Sequence, residues 1–147
     1  MKQTILALDI ATKTGWCTKD AHGTWNLKAL RDESAGMRLI RFKGKLREII
    51  PSNGITFIAF EMSVGAHQAA TNVQSELIGV MKLICLEEGI EFSSYPPSSI
   101  KKFATGKGNA NKDAMVNAAQ ELLGMVGDDD NEADAMWIYQ YVLSLGI

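Results

Sequence analysis

The sequence predicts an α/β protein built on one mixed sheet covered by helices, and three observations lead there. Residues 4–10 and 55–61 are short apolar runs, each reading as a strand buried on both faces. Residues 14–19 and 24–30 carry the β-branched and aromatic side chains of a hairpin that follows the first run. The remaining chain alternates helical periodicity with one more short strand, an order that lays helices on a sheet.

In chain order, the run 4–10 is interrupted by one carboxylate, Asp9, at what would be the carboxyl end of a central strand. Ligands of open α/β sheets gather at that edge, and a carboxylate buried there needs a positive partner; a turn-capping Asp is the ordinary alternative. The hairpin strands are joined by 20–23, which includes His22, and with the first strand they suggest an antiparallel meander. Met37, Ile40, Leu46, Ile49 and Ile50 recur at helical spacing until Pro51-Ser52-Asn53-Gly54 stops the helix. The run 55–61 again ends in a lone acid, Glu61. A helix is predicted over 69–88, ended by Gly89, then a short third core strand over 91–95 stopped by Pro96-Pro97. Ser98 can cap a brief helix through Phe103, and 106–109 reads as a mobile loop. Asn111 can cap a helix to about Leu123, and a last helix runs from near Asn131 to about Leu145 behind Asp128–Asp130, which suit its positive end.

At 147 residues, with 46% hydrophobic and 22% charged, the chain has the size of one domain with a real core, spanning 1–147. No window is apolar enough to cross a membrane, and Met1-Lys2-Gln3 leads straight into the run that holds Asp9, unlike a signal peptide, so a cytoplasmic location is expected. Cys17 and Cys85 show neither CxxC nor Cys/His ligand spacing and read as buried apolar residues, implying neither zinc nor a disulfide. His22 and His67 are the only histidines, which gives no support to a Ser/His or Cys/His triad; His67 reads as polar surface or a DNA contact.

The net charge of -2 argues against gripping nucleic acid by bulk charge, but the charge is unevenly placed. Arg31, Arg38, Arg41, Lys43, Lys45 and Arg47 face only Asp32 and Glu33 within 31–47, and Lys101, Lys102, Lys107 and Lys112 have no acid among them. Acids gather instead at Asp128, Asp129, Asp130, Glu132 and Asp134. A right-handed crossover would set the strands of Asp9 and Glu61 side by side and parallel, with both carboxylates in one crevice. Asn131 and Asp134 are three apart and Asp130 and Asp134 four apart, so both pairs share a helix face beside small Ala133 and Ala135. Taken singly, these are also a strand-end charge, a solvated helix start and a solvated loop; together, three carboxylates without a His or Arg call for a hard divalent cation.

Leu6-Ala7-Leu8-Asp9-Ile10 with Gly15, Ile58-Ala59-Phe60-Glu61, the segment Pro97-Ser98-Ser99-Ile100-Lys101 through Gly106-Lys107-Gly108 to Lys112, and Asn131-Glu132-Ala133-Asp134-Ala135 occur in this order. By these motifs the chain resembles the RuvC-like Holliday junction resolvases of the RNase H and retroviral-integrase superfamily over nearly its whole length. The resemblance implies an RNase H-like fold with a central mixed five-stranded sheet, a three-stranded antiparallel meander plus parallel strands, flanked by helices. It implies a metal-dependent, structure-selective endodeoxyribonuclease with two Mg²⁺ per site, Mn²⁺ serving as an alternative. Its acidic positions fall on Asp9, Glu61, Asn131 and Asp134, and its lysines on Lys101 and Lys112. Asp9 would bridge both ions, Lys112 would meet the scissile phosphate, and Lys101, Lys102 and Lys107 would hold flanking backbone.

Asn131 departs from the usual Asp or His, supplying an oxygen without charge, and Asp130 is an alternative; Val64 stands where bacterial members carry a stacking aromatic. The short chain resembles compact, phage-type members, acting in a bacterial or phage-infected cytoplasm. Branched DNA as partner and a two-fold homodimer follow, with no membrane and no small-molecule substrate. The dimer contact is expected on the helix over 69–88 through Val73, Leu77, Val80 and Ile84, unless that stripe is simply core. A DNA-structure binder without catalysis and an actin-like or sugar-kinase phosphate-binding domain are the other readings; the latter needs two such domains, more chain than 147 residues supply.

Overall fold

The computed structural model describes residues 2–62 and 68–147, with side chains in the second helix from 72 onward. Strand β1 (Ile5–Asp9) is buried at every residue, as an apolar run closed in on both sides must be. Ile5 and Ala7 pack into one core and Leu6 and Leu8 into the other, the period-two alternation of a strand between two layers. β2 (Lys13–Cys17) and β3 (His22–Asn26) complete an antiparallel meander. Its turn lies two residues earlier than expected: Thr18 N–H donates to Ala21 O at 2.8 Å and Thr18 Oγ1 accepts from Ala21 N–H at 3.2 Å. His22 is therefore the first residue of β3 rather than a turn residue.

β4 (Phe57–Glu61) runs parallel to β1 with Leu8 opposite Phe60, which brings Asp9 and Glu61 to one level at the same edge. β5 (Glu91–Tyr95) pairs parallel to β4, giving the order β3-β2-β1-β4-β5. It is an edge strand, mostly half-buried, and not the core strand its position between two helices predicts; lying outermost, it is paired on one side only.

α1 (Met37–Asn53) and α2 (Gln68–Glu88) cover one face of the sheet, and α3 (Pro97–Thr105), α4 (Lys112–Leu123) and α5 (Asp130–Ser144) the other. α1 continues through Pro51, with Ser52 Oγ and Asn53 Nδ2 both donating to the Ile49 carbonyl in its last turn, and it stops at Gly54 in the left-handed region, φ 60°. Pro96, not Ser98, precedes the first turn of α3, whose first residue is Pro97, the position where a missing N–H costs nothing. Asn111 caps α4 as its sequence predicts, accepting from Ala114 N–H at 2.8 Å, and Asp129 caps α5 through Glu132 N–H at 2.9 Å.

On α2, Leu77 and Ile84 are buried in the molecule's own core, and Val73 and Val80 pack partly buried against it. The stripe expected to face a partner thus faces the sheet, where Leu6, Leu8, Ile58, Phe60 and Phe92 share its core; among the described residues the exposed large apolar side chains of α2 are Leu83 and Leu86. Both cysteines are buried and free. No helix of the described residues is long and apolar enough to cross a membrane.

α5 crosses β1 and β2 at close range, and one glycine makes this possible. A Cβ on Gly15 would lie 1.8 Å from the Asn131 carbonyl oxygen, inside any real contact distance. Gly15→Ala is expected to destabilise by about 2 kcal/mol or more, since backbone rather than a flexible side chain must yield. Gly44→Ala, in a helix with open space around it, is expected to stabilise by about 0.5–1 kcal/mol. Urea melts of the two variants check this: equal effects of the two would show that α5 does not sit on Gly15.

Candidate active site

Asp9 ends β1 and, by the strand alternation, shares its face with Ile5 and Ala7, the residues that pack beneath α5. It is 9% exposed, the one charged side chain buried among the described residues. Asp134 meets it from the second turn of α5, where the two carboxyl groups act directly on each other. The Asp9 carboxyl is pushed well above the ordinary range, by burial first and then by the charges of Asp134, Glu61 and Asp130.

Burial, with Glu61 and Asp130 adding to it, lifts Asp134 to about 7. Glu61 is raised by burial, and Lys101 opposes the shift at both Glu61 and Asp134. Lys101, on α3 and half-buried, is therefore the cation that answers the acids. Lys112, the first residue of α4, is instead largely exposed and lies 3.5 Å from Asp130. Lys102 and Lys107 are exposed on the outer side of α3 and in the loop behind it. That loop is tied by Lys107 N–H donating to Thr105 Oγ1 at 3.1 Å.

Glu61, Lys101, Lys112 and Asp134 border a cleft of about 770 Å³, together with Met62 and Gln74. Gln74 of α2 has no sequence signal of its own, one amide on a helix face, yet it donates to Ile10 O at 3.0 Å across the cleft mouth. The first turn of α5, which carries Asn131, is clasped from β3: His22 Nδ1 lies 2.5 Å from Glu132 Oε2 and Thr24 donates to Asp129 at 3.0 Å. Nothing in the sequence pairs residues so far apart. Asn131 is half-buried between this clasp and Gly15. Val64 and His67 lie outside the described residues.

Among the described residues no three acidic, histidine or cysteine side chains already close around a point. The donor set nevertheless suits a hard cation. Its members are oxygen donors, and the most buried of them, Asp9, is pushed well up by burial and by the neighbouring acids, a concentration of negative charge that a divalent ion would neutralise.

Residues 21–139 match the family described as Crossover junction endodeoxyribonuclease RuvC, a span that includes Glu61, Asn131 and Asp134 and begins after Asp9. A relative of that description from Brachyspira hyodysenteriae is 30% identical over 113 residues, 76% of this chain and 71% of the other. Another, from Anaeromyxobacter sp. (strain Fw109-5), is 33% identical over 100 residues, 67% of this chain and 48% of the other, so the chain matches about half of that relative's length. The structure of Thermus thermophilus RuvC with a Holliday junction substrate superposes with a TM-score of 0.77 at 19% identity, over 99% of this chain and 97% of that one; the fold is thus RNase H-like, as the motifs imply.

A carboxylate raised in the folded state binds its proton more tightly there than in the unfolded chain, so its contribution to stability is full below the ordinary carboxylate value and is lost as pH rises through about 7. In EDTA the melting temperature is expected to fall between pH 5 and pH 8. Mg²⁺ should raise it more at pH 8 than at pH 5, where protons compete for the same oxygens. Scanning calorimetry at the two pH values measures this, and a larger Mg²⁺ effect at pH 5 would contradict it.

Proposed function

The chain belongs to the RuvC family of crossover junction endodeoxyribonucleases, and on that footing we propose that it is a divalent-metal-dependent, structure-selective endonuclease that resolves four-way DNA junctions. The observation that carries this reading is the convergence of Asp9, Glu61 and Asp134 at one sheet edge, with Lys101 beside them and an open cleft above. Asp9, Glu61, Asp134 and the amide oxygen of Asn131 would hold two Mg²⁺ ions, with Mn²⁺ as substitute. When bound, such ions supply an activated water for in-line attack on a phosphodiester and stabilise the leaving oxygen.

The rest is the work of this chain's own side chains. Asp9, buried on β1, fixes the depth to which a phosphate can approach. Lys101 presents its ammonium to the negative charge of a phosphate in the cleft, and Lys112, once released from Asp130, reaches the scissile group from the start of α4. Lys102 and Lys107 hold flanking backbone, which positions without reading sequence. A junction is cut on two opposed strands and the chain carries one set of acids, so the acting form is a two-fold homodimer in the cytoplasm of a bacterial or phage-infected cell. Leu83 and Leu86 are the outward apolar residues of α2 open to such a contact.

Metal-binding acids stabilise the transition state, whereas lysine contacts supply most of the affinity. Asp9→Asn is expected to abolish junction cleavage in Mg²⁺ while a gel shift of the junction in Ca²⁺ survives. Full cleavage by that variant would remove the metal-site reading, and a wild-type protein that binds junctions without cutting them would favour a binding protein lacking catalysis.

Asn131 brings no charge to the fourth position, so Asn131→Asp is expected to lower several-fold the Mg²⁺ concentration for half-maximal cleavage. An unchanged metal titration would point to Asp130 at that position, or to a one-metal mechanism.

A further inference from the structure

Lys13 at the start of β2 and Lys28 and Arg31 in the loop before α1 do not line the cleft. β3 runs in the direction of β1, so its end at Asn26 reaches the edge where Asp9 stands. Lys13 pairs with Asn26 across the hairpin, and Leu27 N–H donates to Thr12 O at 2.8 Å. Lys13 is exposed and two residues before Gly15, so it shares the sheet face on which Gly15 meets Asn131.

The loop from Leu27 to Gly36 is pinned from α1. Arg41 donates to both Glu33 oxygens at 2.6 Å and to Lys28 O at 3.3 Å, while Glu33 also accepts from Leu30 N–H at 2.7 Å. The Glu33 charge is thereby neutralised within the loop, which leaves Lys28 and Arg31 exposed with Asp32 as the one exposed acid between them and α1. Strand order then decides the geometry: β2 and β3 lie on one side of β1, and β5 with the α3 lysines on the other. Four strand spacings, about 19 Å, separate the two edges of the sheet.

We propose that Lys13, Lys28 and Arg31 form a second phosphate-binding shoulder, which holds DNA backbone on the side of the carboxylates opposite Lys101, Lys102 and Lys107. The inference rests on the nuclease reading above and adds to it a second arm of the substrate. Two basic shoulders with the acids between them hold a bent or branched DNA across the edge of the sheet, where one lysine cluster holds a single stretch of strand. The pinned loop makes its two cations a fixed surface, so less ordering is needed when they bind.

The test is a salt titration of junction binding by the full chain in Ca²⁺, comparing wild type with Lys13→Gln/Lys28→Gln/Arg31→Gln. Each lost phosphate contact lowers the slope of log affinity against log salt by about 0.9, so a drop of about 2 to 3 is expected. Affinity at a fixed salt of about 100 mM is expected to fall tenfold or more. The charge-preserving variant Lys13→Arg/Lys28→Arg/Arg31→Lys should keep the wild-type slope. An unchanged slope and affinity in the glutamine variant would overturn the shoulder, as would equal losses in both variants, which would mark a structural effect. A wild-type chain that binds no junction at any salt would instead overturn the nuclease reading itself.

Discussion

The closeness with which α5 crosses β1 and β2 governs the rest of this molecule. Asp134 rides on that helix and Asp9 on the strand beneath, and their carboxyl groups meet because the helix backbone reaches down to Gly15. Small and apolar residues make the approach possible along its length: Ala133, Ala135, Met136 and Ile138 are buried against the sheet. Asp134, Glu61 and Asp130 all push the Asp9 carboxyl up, so the close approach of α5 concentrates acid at this edge.

Concentrating acids at one edge carries a folding cost, and the surroundings offset it in identifiable ways. Lys101 opposes part of the upward push on Glu61 and Asp134. Asp129 and Glu132 are used structurally, the first as the cap of α5 and an acceptor for Thr24, the second as the partner of His22. The aspartate run is therefore two kinds of residue side by side: some fasten the helix start to the hairpin, and Asp134 is left for the cleft. Lys112 and Asp130 form an exposed pair at the rim, where screening makes such contacts weak and easily exchanged for a phosphate.

The parallel pairing of β1 with β4 makes the second contribution. It fixes Asp9 and Glu61 in register through four backbone partners, so neither carboxylate depends on a loop for its position. Lys101 stands on a helix, and Lys112 opens one. A site carried on strands and helices keeps its geometry better than one carried on loops.

The sequence by itself determined the two buried strands ending in acids, the helix over 112–123 with its Asn111 cap, and the face shared by Asn131 and Asp134, because each depends on periodicity or on a local hydrogen bond. Its ordered motifs also carried the fold. Only the tertiary structure decided matters that depend on partners distant in the chain. It placed His22 on Glu132, showed β5 to be an edge, turned Val73, Leu77, Val80 and Ile84 inward, and set Lys101 against Glu61 and Asp134 and Lys112 against Asp130. A helical stripe looks the same in sequence whether it covers its own sheet or another chain, and a lysine the same whether it faces acid or water. Which one it meets is settled by how the layers stack.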